Sequence, residues 1–373
     1  MQTREAAAGA LLRLYNIIKM SCLTRNKICY SEKIVVYYRK LIFRLIVVVK
    51  EVLYMLSGII AGITWAIATV VLGIALGMTP FVSTEQAIFL APFVSTFFHD
   101  ACSAICATAY NGIRGNWGNV WKALKTRSGK FVVLAAVIGG PIGMTGYVMA
   151  VNYMGASIGA VASAIFPAIG SILAYIFLKE KMKWYQWVFL VFTLLGVYGL
   201  SYSPDLQIEN FWLGLLGALM CSFGWGIEAV ILAKSLTDPE VTDEYALQIR
   251  QTTSAVFYGL IILPVLKGWG FSASILVPGS SWPLPIIAIA GFFATVSYLF
   301  YYKAIAKIGA SKAMALNVTY CAWTIVFTVL ILRDMSVLTV STIVCAIVVI
   351  VCGIFAAADF KVILKKDGLA DKD

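Results

Sequence analysis

The sequence predicts an all-α integral membrane protein: ten transmembrane helices built as two inverted five-helix repeats. Three observations carry that expectation. Hydrophobic residues are 61% of the chain and charged residues only 13%, against roughly a quarter charged in a soluble domain, so a water-soluble fold would lack the side chains to cover its surface. Ten apolar runs, each near the roughly 20 residues that cross a hydrocarbon core, follow one another with short separators. Lys and Arg then gather on alternate separators, as orientation in a bilayer requires.

In chain order, residues 1–50 form a basic N-terminal extension, irregular up to Lys33 and then an apolar stretch to Lys50 punctuated by Arg39, Lys40 and Arg44. It reads as an interfacial helix or as a start assigned too early, since Met55 opens the first clear span. A cleaved signal peptide is not expected, because no small-residue site follows a clean apolar core. The ten runs cover 53–77, 87–111, 131–153, 156–178, 185–202, 211–233, 246–266, 284–304, 311–332 and 338–358. They divide into a first repeat over 51–204 and a second over 205–360, followed by a tail at 361–373. With the separators assigned alternately to two sides, only Lys267 and Arg333 of the 29 basic residues fall on the second side. Both termini are therefore expected in the cytoplasm of a cell-membrane protein.

The repeat rests on short matches. A shift of 154 residues lays Gly155-Ala156-Ser157 on Gly309-Ala310-Ser311, Tyr147 on Tyr301 and Lys179-Glu180 on Arg333-Asp334. A slightly larger shift lays Trp65 on Trp225. Five spans are an odd number, so the second half enters from the opposite side. Halves of that kind build transporters whose site lies near mid-membrane between them.

Composition also excludes functions. A net charge of +11 on a soluble protein would suggest nucleic acid. Here it follows topology, and the ten basic residues before position 53 suit anionic lipid. The eight cysteines form no CxxC pair and His99 is the sole histidine. No metal site, cofactor or nucleophile–base arrangement is expected, and so no enzyme.

Ionisable groups inside a span are costly, which makes them functional candidates. Glu228 lies mid-way along run six with Trp225 three residues earlier, on one helical face. A carboxylate beside an indole suits a cation. Pairing of Glu228 with Arg250 for structure is the alternative. His99 and Asp100 in run two, and Gln251 beside Arg250 in run seven, read either as a polar network tying helices together or as a proton relay with Glu228. Trp65 lies too deep in run one for an interfacial anchor. Tyr298, Tyr301 and Tyr302 share a face of run eight, where Tyr301 and Tyr302 read mainly as packing, and Asn317, Tyr320 and Trp323 recur at every third residue of run nine. Gly139-Gly140-Pro141 and Pro167 are either kinks or places where freed backbone groups line a cavity.

The stretches Gly140-Pro-Ile-Gly-Met144, Ser163-Ala-Ile-Phe-Pro-Ala168, Trp225-Gly-Ile-Glu228, Ile249-Arg-Gln251, Ser297-Tyr-Leu-Phe-Tyr-Tyr302, Leu316-Asn-Val-Thr-Tyr320 and Trp323-Thr324 resemble the EamA-type carriers of the drug/metabolite transporter superfamily. Within that superfamily they are most similar to bacterial choline importers of the LicB type, over residues 55 to 358. The resemblance implies proton-coupled import of choline or a similar quaternary ammonium ion by alternating access. It implies an aromatic cage at Trp65, Trp225 and Tyr298, with Glu228, Gln251, Asn317, Tyr320 and Trp323 as further substrate-binding candidates. Glu228, His99 and Asp100 are the proton-coupling candidates. The first run has Thr64-Trp65-Ala66, where such importers tend to have a bulkier residue and glycine. An exporter of amines, amino acids or drugs is the competing reading on the same fold. Partners would be the small cation, protons and membrane lipid. Two fused halves make a monomer sufficient.

Overall fold

The computed structural model describes residues 28–202, 210–278 and 282–360, with backbone alone at 28–41, 43–45, 47 and 155–163. The described residues are nearly all helical. They comprise α1 (Ile28–Leu76), α2 (Glu85–Ile113), α3 (Trp117–Lys125), α4 (Arg127–Val137), α5 (Gly143–Ser163), α6 (Phe166–Leu173), α7 (Trp184–Ser201), α8 (Phe211–Ser235), α9 (Asp243–Phe257), α10 (Trp269–Leu276), α11 (Leu284–Ile308), α12 (Ala310–Asn317), α13 (Tyr320–Phe327) and α14 (Val340–Ala357). Four π-turns, at Ile138–Ile142, Ala174–Leu178, Tyr258–Ile262 and Thr328–Leu332, extend or join them.

The chain divides into one unit made of Met1–Leu53 with Asp359–Asp373 and another of Tyr54–Ala358. In the first, residues 28–53 are helical, where an irregular course up to Lys33 was expected. The rest of the extension and the whole of the predicted 361–373 tail lie outside the described residues. The packing and the site described below belong to the second unit.

Among the described residues, eight helical segments are long and apolar enough to cross a membrane: Val48–Leu76, Glu85–Ile113, Arg127–Met154, Trp184–Ser201, Phe211–Ser235, Leu284–Ile308, Ala310–Leu332 and Val340–Ala357. The sequence reading expected ten. The run at 156–178 is represented by the short apolar helix Phe166–Leu178, because the chain is interrupted at residues 164–165. The run at 246–266 is helical from Asp243 to Val265 but too polar to qualify. Gln248, Arg250, Gln251 and Ser254 are all buried on its inner face. Large apolar side chains such as Phe177, Leu260 and Val265 point outward, each about 70% exposed or more, which is what a hydrocarbon surround permits.

The backbone repeats itself at the shift of 154 residues. Interruptions at 164–165 recur at 318–319. The π-turn Ala174–Leu178 recurs as Thr328–Leu332. Each π-turn ends on a left-handed residue, Lys179 at φ 59° and Arg333 at φ 56°. The copies run in opposite directions, since Glu180 at the end of the first bonds Ala310 at the start of the second. Both copies are therefore broken half-way across, where free backbone is tolerated only inside protein or beside a cavity.

Close packing depends on small residues. A Cβ on Gly146 would lie 2.5 Å from the Gly217 carbonyl, and one on Gly217 would lie 2.6 Å from the Gly146 carbonyl, so α5 and α8 touch backbone to backbone. Without a hydrophobic drive between helices in lipid, such contact is the main source of adhesion. Gly58 and Gly62 let α1 rest on Leu316 and Thr319 at the second interruption, and Ser297 donates to the Ala61 carbonyl at 2.8 Å. These contacts fix the side of α1 that carries Trp65. Gly217→Val is expected to lower stability by about 1–3 kcal/mol through overpacking. Thermal unfolding in detergent measures it, and an unchanged midpoint would refute the backbone contact.

Candidate functional site

Gly139 and Gly140 lie in the π-turn between α4 and α5, and the site is built around that turn. A side chain on Gly139 would overlap the Glu228 carboxylate, and one on Gly140 would come within 2.7 Å of Ser254 Oγ. The two glycines thus admit α8 and α9 to the same point. The π-turn directs the Gly143 N–H to the Ile138 and Gly140 carbonyls, and the Gly139 carbonyl accepts the indole N–H of Trp225 at 3.0 Å. Trp225 is held further by Phe166, edge-on at 5.7 Å between ring centroids, and by Tyr147, stacked at 6.2 Å.

A buried ion cluster joins α2, α8 and α9. Arg250 donates through Nε to Glu228 Oε1 at 2.9 Å and through Nη1 to Gln251 Oε1 at 2.8 Å and Asp100 Oδ2 at 3.4 Å. Ser254 donates to Asp100 Oδ2 at 2.6 Å. His99 Nδ1 lies 3.0 Å from the other Asp100 oxygen. Arg250, Glu228, Asp100 and His99 are each less than one-tenth exposed. Buried charges persist only when paired and hydrogen-bonded, and these partners supply both conditions.

An aromatic wall faces the cluster. Trp65 meets Tyr298 edge-on at 5.2 Å and His99 edge-on at 6.2 Å. Arg250 lies over the Tyr298 ring, 4.7 Å from its centroid. Tyr302 stands edge-on to Tyr298 at 5.9 Å, and its fully buried hydroxyl has no hydrogen-bond partner among the described residues.

Between wall and cluster lies a cavity of about 160 Å³, close to the size of an engineered apolar cavity that holds benzene. Among the sequence candidates, Trp65, His99, Asp100, Trp225, Glu228, Tyr298, Asn317 and Tyr320 line it. Gln251 and Trp323 do not. Gln251 is spent on Arg250, and Trp323, one turn beyond Tyr320 at the i+3 position, leaves a buried indole N–H unpaired. Tyr301 and Tyr302, read mainly as packing, line the cavity as well. Sequence reasoning treated Arg250 only as a partner for Glu228 and missed its place over Tyr298. An arginine inside an apolar run was itself the signal. Phe166 was also missed, although the Pro167 beside it marked the interruption. Thr69, Leu72, Thr96 and Met144 extend the lining toward the end of the bundle away from Lys179, Lys181, Lys183, Lys303, Lys307 and Lys312.

Comparison with known proteins agrees with this architecture. The EamA-like transporter family matches the chain twice, over residues 52–202 and 212–358. Protein LicB of Haemophilus influenzae is 31% identical over 195 residues, which are 52% of this chain and 63% of that protein. The aligned part is thus slightly under two thirds of that relative's length. A crystal structure of 16% identity superposes with a TM-score of 0.57 over 82% of this chain and 96% of the other, a likeness of fold.

Removing one partner of a buried ion pair strands the other. Arg250→Leu leaves Glu228 and Asp100 without their shared cation and is expected to cost about 3–5 kcal/mol. Denaturation in detergent at neutral pH measures the loss. A cost below about 1 kcal/mol, the range of exposed pairs, would contradict the cluster's structural role.

Proposed function

Because this chain belongs to the EamA-like transporter family, whose members are membrane transporters rather than enzymes, we propose that it imports choline or a similar quaternary ammonium ion by alternating access, coupled to protons. The observation that carries this reading is a small cavity walled by aromatic rings beside a buried carboxylate cluster. A quaternary ammonium ion has no N–H to donate, so hydrogen-bond acceptors cannot grip it. Ring faces can, through their quadrupoles. Trp65, Trp225 and Tyr298 form the cage in this reading, and Asn317 and Tyr320 close the opposite wall. Gln251 acts through Arg250, and Trp323 acts through Tyr320, three residues before it on the same helix.

Charge supports the same substrate class. By formal charge two carboxylates, Glu228 and Asp100, oppose one guanidinium, Arg250, an excess of one negative charge. That excess matches one monovalent cation. Glu228, Asp100 and His99 are the proton-coupling groups in this reading: they form a hydrogen-bonded line through Arg250, and His99 touches the edge of Trp65. A change of protonation there acts on the cage across one ring contact.

The domain reading is two five-helix halves, 51–204 and 205–360, inverted about the site. The antiparallel backbone repeat supports it. The carrier is read as a cell-membrane protein with cytoplasmic termini, on the basic-residue asymmetry. Alignment with protein LicB and the matching stretches around Trp225-Gly-Ile-Glu228 support choline as the cargo.

Calorimetry on purified protein tests the site. Choline is expected to bind, and its uncharged carbon isostere, 3,3-dimethylbutan-1-ol, is not. Trp65→Ala and Trp225→Ala should each weaken choline binding about 2- to 30-fold, the range of about 0.5–2 kcal/mol per cation–π contact. Equal binding of the isostere would remove the cation from the reading. Unchanged affinity in both tryptophan variants would remove the cage.

A further inference from the structure

A second carboxylate, well apart from the cavity, ties the two repeat copies together. Glu180 follows the left-handed Lys179 at the end of the first copy. It accepts the N–H of Ala310 at 2.9 Å, the N–H of Ser311 at 3.1 Å and the Ser311 hydroxyl at 2.9 Å. All three belong to the start of α12, in the second copy. Gly309 makes the approach feasible: it takes φ 87°, and a Cβ there would sit 2.8 Å from Glu180 Oε1.

We propose that Glu180 is the latch that holds the lysine-rich end of the carrier closed, and that each transport cycle requires its release. This rests on the carrier reading above. Three observations carry it. First, the bond joins the end of one copy to the start of the other, so any parting of the halves at this end must break it. Second, the residue that the 154-residue shift pairs with Glu180 is not engaged in the same way. Asp334 accepts the N–H and hydroxyl of Ser336, at 2.9 and 2.5 Å, within its own exposed turn. Two antiparallel copies thus carry one carboxylate at each end, and among the described residues that of the lysine-rich end spans copies while Asp334 bonds within its own turn. Third, the cavity lining extends through Thr69, Leu72, Thr96 and Met144 toward the opposite end, as a molecule closed at the lysine-rich end requires.

The chemistry suits a reversible contact. The acceptor is a carboxylate, and the donors are neutral: two backbone N–H groups at a helix start, where the helix dipole favours an anion, and one hydroxyl. When released, the carboxylate has lysine neighbours and water to turn to, and α12 loses only a cap, worth typically about five-fold in an equilibrium.

The test reads accessibility and needs no substrate. Asn317→Cys, in a chain whose native cysteines are replaced, is reacted with a membrane-impermeant thiol reagent from each face of reconstituted vesicles. A Lys307→Cys control identifies the lysine-rich face. Glu180→Gln is expected to raise the labelling rate from that face about five-fold and to leave the opposite face no faster. Glu180→Asp, which withdraws the carboxylate without neutralising it, should act in the same direction and serves where the glutamine variant fails to fold. An unchanged rate from the lysine-rich face overturns the latch. So does an equal rise from both faces, which would mean general loosening. Because no choline is added, the outcome stands apart from the identity of the cargo.

Discussion

The Arg250–Glu228–Asp100 cluster is the constraint on which the rest of the molecule depends. Three charges buried within spanning helices would be prohibitive singly. Together they are tolerable only if α2, α8 and α9 converge to hydrogen-bond distance. That convergence dictates glycine at 139 and 140, because any side chain there would occupy the space of the Glu228 carboxylate or the Ser254 hydroxyl. It also explains why α9 is the least apolar of the long helices. Its polar residues face the cluster, and the helix gives up the hydropathy of an ordinary span to do so. Tyr298, whose ring lies over the guanidinium, carries the arrangement into α11, and Trp65 carries it into α1.

The second organising feature is the paired interruption at 164–165 and 318–319. A broken helix frees backbone groups that lipid cannot satisfy, so each break must turn inward. Phe166 follows one break, while Asn317 and Tyr320 flank the other, and all three line the cavity. The site is thus assembled from the same element used twice in opposite directions. The Glu180 contact at the far end of the first copy follows from the same geometry.

Much of this was legible in the sequence because the signals were strong ones. Ionisable residues and tryptophans deep in apolar runs are rare, so Glu228, His99, Asp100, Trp65 and Trp225 stood out, and all five meet at one cavity. The repeat was readable from Gly155-Ala156-Ser157 and Lys179-Glu180 against their counterparts, though nothing in those letters announced a π-turn or a left-handed residue. Other features were not legible for physical reasons. Which face of run nine turns inward depends on the interruption at 318–319, so the every-third-residue pattern grouped Trp323 with Asn317 and Tyr320 although only the latter two reach the cavity. Gln251 looked like a ligand because its spacing does not show that Arg250, its own neighbour, consumes its oxygen. Run seven reads as an apolar span at 246–266, and the helix is there, but its buried polar face leaves it short of the hydropathy of an ordinary span.

The central claim, that the cavity carries a quaternary cation across the membrane under proton control, is tested most directly by uptake of labelled choline into proteoliposomes with and without an inward proton gradient, comparing wild type with Glu228→Gln. The account predicts gradient-stimulated uptake in wild type, and in the variant uptake that is weakened or no longer responds to the gradient. Uptake indifferent to the gradient in both proteins would contradict the proton role of the cluster, and absence of choline uptake by the wild type under either condition would contradict the account as a whole.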